Sequence, residues 1–203
     1  DGILLPLVGI GLFLAVLSFW DDLKSLPPAI RFGGHAVAAL AALALLGWPQ
    51  LQIDLAPALS LKPWMACGFV LMFLWLAGYT NAFNFMDGIN GIAAGQATLT
   101  SAASGLLAGL VSGEWTSLPI LFSFAIAGAT AGFMPHNFPK ARMFMGDVSS
   151  APLGFLLAAA ALWIADTTGW WLLIPLALLH ANFVLDTAIT LVRRIYRGER
   201  WYS

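Results

Sequence analysis

With 203 residues, 60% of them hydrophobic and only 9% charged, and a mean hydropathy of +0.85, the chain is not a soluble globule. Nine bases against ten acids give a net charge of −1, which offers no basis for binding nucleic acid and makes the placement of each charge more informative than the sum. The single cysteine, Cys67, excludes an internal disulfide and a cysteine-built metal site, and its place in an apolar run predicts a small buried hydrophobe.

Apolar stretches fall at about 2–19, 32–47, 66–83, 91–111, 118–134, 150–165 and 170–192, each near the roughly 20 residues that cross a bilayer. The expected fold is all-α: a polytopic transmembrane helical bundle of about seven spans, one domain over 1–203. No charged n-region or cleavage site precedes the first span, so no signal peptide is expected. An odd number of spans puts the two ends of this chain on opposite sides. Lys24 and Arg31, Lys140 and Arg142, and Arg193, Arg194, Arg197 and Arg200 all fall on one side, and only Lys62 on the other. Eight of nine cations on one face mark that face as cytoplasmic. Trp48, Trp64, Trp115, Trp170 and Trp171 edge the opposite loops, as indoles at an interface do.

After the first span comes Phe19-Trp20-Asp21-Asp22-Leu23-Lys24. Paired acids can cap or solvate a helix end, but a cytoplasmic span end normally favours cations, and adjacent carboxylates repel unless a cation lies between them. The third span runs into Asn81-Ala-Phe-Asn84-Phe-Met-Asp87-Gly-Ile-Asn90-Gly91, the densest polar stretch of the chain. Asn81, Asn84 and Asp87 recur every three residues and so share one helical face, while Gly88 and Gly91 are turn punctuation. Gly91 to Gly95, Gly105 to Gly109 and Gly128 to Gly132 are spacings that predict close helix packing. Pro119 and Pro152 are expected at helix starts, and Pro175 inside the last span, where it should bend it.

Ahead of the sixth span stands Lys140-Ala-Arg142-Met-Phe144-Met-Gly-Asp147-Val-Ser149-Ser. Lys140 and Arg142 can meet phosphate, Phe144 can stack on a base, and Asp147 sits where a helix begins. Four carboxylates, Asp21, Asp22, Asp87 and Asp147, thus come from three connections on one side, and oxygen ligands alone predict a divalent cation with phosphate. Of the histidines, His180 in the last span is expected to hydrogen-bond a neighbouring helix, and His136 to lie nearer the substrate. Asp186 is expected to pair with a base, and the arginines of the tail to meet anionic headgroups.

These clusters, from Asp21-Asp22 through Asn81 to Asp87, then Phe144-Met-Gly-Asp147, to Asp186 and Arg193-Arg194, resemble the polyprenyl-phosphate N-acetylhexosamine-1-phosphate transferases. That superfamily, glycosyltransferase family 4, includes undecaprenyl-phosphate GlcNAc-1-phosphate transferases and the phospho-MurNAc-pentapeptide translocase. The chain looks most like the branch that starts O-antigen or related lipid-linked glycans. The resemblance implies a Mg²⁺-dependent enzyme (Mn²⁺ as a substitute) in the bacterial inner membrane, its site facing the cytoplasm. It would join a UDP-N-acetylsugar and undecaprenyl phosphate into a lipid diphosphate sugar and release UMP. By the same resemblance Asp147 and Asp87 bind metal, and Asp21, Asp22 and Asp87 are catalytic. Asn81, Asn84, Asn90, Lys140, Arg142 and Phe144 would meet substrate, Phe144 on uracil.

Two positions depart from the family pattern: Asn90 stands where relatives commonly carry an aspartate, and Ser149 where many have glycine. The family also has about ten or eleven spans and a His-containing cytoplasmic motif after the last arginines, so this chain is expected to be a truncated portion. A homodimer is left open. The rival classes are an ion- or proton-coupled carrier, which would place its ionisable groups near the midplane, and an inactive membrane remnant.

Overall fold

A computed structural model of the chain describes residues 2–46, 53–56, 59–61 and 65–199. The expected Trp48, Trp64, Lys62 and Arg200 lie outside the residues whose side chains it describes. Among the described residues are seven long helices: α1 (Leu4–Lys24), α2 (Pro28–Leu46), α3 (Met65–Met86), α4 (Ile92–Ser112), α5 (Leu118–Asn137), α6 (Asp147–Thr168) and α7 (Leu173–Tyr196). A two-stranded antiparallel hairpin, β1 (Ile53–Ala56) with β2 (Leu59–Leu61), stands in the α2–α3 connection beside a 3-10 turn, Trp170–Leu172. The all-helical expectation did not include it. Its alternating Ile-Asp-Leu-Ala and Leu-Ser-Leu sequences fit paired strands.

Six of the helices are long and apolar enough to cross a membrane, a geometry in which every backbone group is satisfied inside the helix. The seventh, α4, has the length but carries Gln96, Thr98, Thr100, Ser101 and Ser104. Four of them, Gln96, Thr98, Thr100 and Ser101, are hydrogen-bonded inside the bundle. Gln96 donates to Leu179 O at 2.8 Å and accepts from Asn182 Nδ2 at 2.8 Å, and Thr98 donates to Thr130 at 2.9 Å. Helix α4 is therefore less apolar than the other six because part of its surface is a polar seam that faces protein.

The bundle is built around α6, the most buried helix, which packs along α1 and α3, while α4 packs along α5. Small residues permit this. A Cβ on Gly154 would lie 2.7 Å from Phe83 Cβ and 3.2 Å from Thr80 Cα, so only glycine lets α3 pass at that depth. Tyr79, Phe83, Phe155 and Phe183 are among the largest fully buried side chains.

Several local expectations are corrected. Cys67 is exposed on the outer face of α3 and is not a core residue. Helix α6 begins three residues before the expected 150, so Pro152 lies inside it, while Pro175 falls in the first turn of α7, directly after the 3-10 turn. Gly105 and Gly109 make room for Phe124 and Trp115, but a Cβ at Gly128 or Gly132 would meet nothing within 4 Å. His180 is wholly buried and needs no correction: its Nδ1 donates to Leu176 O in its own helix at 2.7 Å, it meets the Leu157 backbone of α6, and the ring packs edge-on against Tyr79 and Trp75 of α3. Asp186 is exposed on α7, and among the described residues it forms no ion pair, so the expected pairing with a base is absent.

Candidate active site

One end of the bundle gathers the C-terminal ends of α1, α3, α5 and α7 with the N-terminal ends of α2, α4 and α6. Helix α1 stops where Ser25 takes a left-handed conformation, φ 48°, and donates its N–H to Asp21 O at 2.7 Å. The Asp21 carboxylate closes the same turn, with Oδ1 accepting the Leu26 N–H at 2.6 Å. Its Oδ2 lies 3.2 Å from Arg31 Nη1, in the first turn of α2. The same nitrogen is 3.6 Å from Asp147 Oδ2, so one guanidinium ties α1, α2 and α6 together. Asp21 is buried by this arrangement, whereas its neighbour Asp22 is exposed and accepts the Val148 N–H at the start of α6.

The earlier start of α6 makes Asp147 its first residue, after Gly146 at φ 66°. A carboxylate there faces the positive end of the helix dipole. The Gly146 N–H donates to Asp87, just beyond the end of α3. Burial and the nearby charge of Asp147 push the Asp87 carboxyl up from its ordinary 3.8 to about 6, against the opposing pull of that N–H. One turn back on α3, Asn84 Oδ1 accepts a short hydrogen bond from Ser150 Oγ of α6.

Two connections are stitched together beneath the acids. Gly91, at φ 78°, donates its N–H to Asn137 Oδ1 at 2.7 Å, and Asn137 Nδ2 donates to Met143 O at 2.9 Å. A Cβ at Gly91 would lie 2.9 Å from Phe138 Cβ, so both the conformation and the close approach require glycine. Asn90 Nδ2 donates to Pro139 O at 3.4 Å. The polar row after α3 thereby fixes the α3–α4 connection against the α5–α6 connection.

The structure thus brings Asp21, Asp22, Asn84, Asp87 and Asp147 to one place. Asn90 serves the scaffold beside it. Lys140, Arg142 and Phe144 stand on the α5–α6 connection with exposed side chains, Phe144 at 77% exposure. His136 is exposed there too, its carbonyl accepting the Arg142 and Met143 N–H groups. Asn81 lines a cavity of about 140 Å³ with Phe32, Phe85, Thr187, Thr190, Leu191 and Arg194, between α2, α3 and α7. The guanidinium of Arg194 lies 5.8 Å from the Phe85 ring centre. Among the described residues, no three His, Cys, Asp or Glu side chains form a cage able to hold a metal by themselves. The carboxylates are offered singly and in pairs.

Sequence reasoning counted Arg31 only as one cation of the topology, and it missed Ser150, Asn137 and the N–H groups of Gly146 and Val148. An arginine seven residues into a connection and helix start carries no local mark of its partners, which lie 10 and 116 positions away.

The sequence profile described as glycosyl transferase family 4 matches residues 4–165. The chain belongs to glycosyl transferase family 4. Among similar proteins is the decaprenyl-phosphate N-acetylglucosaminephosphotransferase of Mycobacterium tuberculosis (strain ATCC 25618 / H37Rv), 30% identical over 215 residues that cover 97% of this chain and 52% of that protein. The phospho-N-acetylmuramoyl-pentapeptide-transferase of Levilactobacillus brevis is 30% identical over 210 residues, 94% of this chain and 60% of the relative. That of Limosilactobacillus fermentum is 36% identical over 143 residues, 69% of this chain and 41% of the relative. The chain spans about half the length of the curated relatives it matches. Within this family 4 chain, Asp21, Asp22, Asp87 and Asp147 all fall inside the matched region, while Asp186 and the arginines of α7 fall beyond it.

Proposed function

We propose that the protein containing this chain transfers a sugar 1-phosphate from a UDP-N-acetylsugar to undecaprenyl phosphate. The products are a lipid diphosphate sugar and UMP, made at the cytoplasmic face of a bacterial inner membrane as the first step of O-antigen or another cell-envelope glycan. The observation that carries this reading is the convergence of Asp21–Asp22, Asp87 and Asp147 from the ends of α1, α3 and α6 without, among the described residues, a protein-only metal cage. A small hard cation such as Mg²⁺ takes one or two carboxylates and completes its shell with water and substrate phosphate, which is the donor set on offer. Names of the relatives combine a polyprenyl phosphate or a phospho-sugar with transferase activity, in the same sense.

In this reading Asp147 and Asp87 would hold Mg²⁺, which when bound neutralises diphosphate charge as one phosphate oxygen approaches another phosphorus. The chain's own groups do the positioning. Asp22 is exposed beside Asp147 and can take a proton from, or orient, the attacking lipid phosphate. Arg31 and the N–H groups of Gly146 and Val148 hold the acids in register. The cavity walled by Phe32, Phe85 and Leu191, with Arg194, Thr187, Thr190 and Asn81 lining it too, suits a phosphate carried on an isoprenoid tail. Lys140, Arg142 and Phe144 stand exposed where a nucleotide diphosphate would approach from solvent. All seven described cations sit at this end, which supports its facing the cytoplasm. A carrier would place such acids near mid-depth, not at the rim.

The test is direct: full-length protein in membranes is given undecaprenyl phosphate and a panel of UDP-N-acetylsugars, and UMP release is followed with and without EDTA. Mg²⁺-dependent UMP release with at least one sugar is the expected result. No release with any sugar, or release indifferent to EDTA, overturns the proposal.

A further inference from the structure

The adjacent carboxylates Asp21 and Asp22 are not equivalent in this fold. Asp21 is buried and both its oxygens are committed, Oδ1 to the Leu26 N–H at 2.6 Å and Oδ2 to Arg31 Nη1 at 3.2 Å. Asp22 is exposed, lies near the charges of Asp147 and Asp21, and among the described residues is tied only to the Val148 N–H. Arg31 stands between Asp21 and Asp147, its Nη1 shared by Asp21 Oδ2 and, at 3.6 Å, by Asp147 Oδ2. A guanidinium next to Asp147 competes with any divalent cation for that carboxylate, because both are drawn by the same negative charge.

We infer that Asp21 is a positioning residue that acts through Arg31, drawing its charge away from Asp147 so that Asp147 remains available to a divalent cation, while Asp22 is the member of the pair that meets the substrate. The inference rests on the transferase reading above. It makes the effect of Asp21 conditional on Arg31. With Arg31 present, loss of the Asp21 charge leaves the guanidinium to Asp147 alone. With Arg31 gone, Asp21 has nothing to hold.

The experiment uses the full-length protein and Mn²⁺ alone as probe, with free Mn²⁺ read by electron paramagnetic resonance and folding checked by thermal melting. Asp21→Asn keeps an oxygen for the Leu26 N–H, and it should weaken Mn²⁺ binding by about tenfold, as loss of a group supporting a metal ligand does. In the Arg31→Gln background the same substitution should change binding by less than about twofold, the mark of two residues acting as one unit. Asp22→Asn should act equally in both backgrounds. Arg31→Gln alone removes a positive charge 3.6 Å from Asp147 and should tighten Mn²⁺ binding, a sign that holds even if Asp21→Asn fails to fold. Weakening by Asp21→Asn of equal size with and without Arg31 would make Asp21 a ligand in its own right and overturn the inference. Looser binding in Arg31→Gln would do the same. The transferase reading fails separately: Asp147→Asn that leaves both Mn²⁺ binding and UMP release at the parent level removes it whatever the Asp21 cycle shows.

Discussion

Two polar regions of this bundle are built on opposite terms. In the seam between α4 and α7, Gln96, Thr100, Asn182 and the Leu179 carbonyl are joined by hydrogen bonds between neutral groups. At the acidic end, several carboxylates share one guanidinium and a few backbone N–H groups, and the negative charge exceeds what the described partners neutralise. The seam is packing, in which small residues and neutral hydrogen bonds let helices associate where there is no water to drive them. At the acidic end Asp22, Asp87 and Asp147 stand close together with Arg31 as the one guanidinium that the described ion pairs bring to them, the setting for the divalent cation proposed above. Polar content alone therefore says little about function; unmatched charge says much.

The contrast breaks most readily at Asp147. Asp147→Asn should cut UMP release by at least about 100-fold, because a lost ligand to a charge-neutralising cation costs several kcal/mol of transition-state stabilisation, while melting stays close to the parent. Unchanged turnover would reduce the acidic end to a structural feature.

The next largest effect is on pH. Asp87 carries a proton up to about pH 6 when folded against 3.8 when unfolded, so the stability that protonation contributes is fully present below 3.8 and is lost as pH rises through 6. A divalent cation must expel that proton. Mn²⁺ affinity should accordingly fall as pH drops below about 6, approaching tenfold per pH unit, and Asp87→Asn should flatten the dependence. A titration that is level from pH 7 to 5 would separate Asp87 from the cation.

Substitutions in the packed regions should act on stability alone. Gly154→Ala puts a Cβ 2.7 Å from Phe83 Cβ and against the α3 backbone, and should cost about 1–3 kcal/mol in unfolding measurements. Gln96→Leu, which removes the bonds to Leu179 O and Asn182, should cost only about 0.6 kcal/mol and leave UMP release unchanged. A larger loss of turnover at Gln96 would mean that the seam reports to the acidic end.

Much of this was legible from residue order. Apolar runs marked the helices because a bilayer imposes one length and one backbone solution, and the cations marked one end because membrane chains concentrate them on one side. The Asp-Asp, Asn-Asn-Asp and Gly-Asp clusters stood out because charge and amide groups are rare in so apolar a chain. Other features were not legible. Cys67 looked buried because hydropathy does not distinguish a helix face turned to lipid from one turned to protein. Pro152 was misplaced because the start of α6 is set at Gly146, not where hydrophobicity begins.

By itself, the sequence determined that this is a membrane-spanning helical chain and which acids collect at one of its ends, since both follow from the one-dimensional spacing of apolar and charged residues. Only the tertiary structure decided how those acids divide their work. Whether Asp21 or Asp22 faces outward, and that Arg31 stands between Asp21 and Asp147, depends on helix rotation and crossing, which small residues such as Gly154 set by how closely they let helices approach.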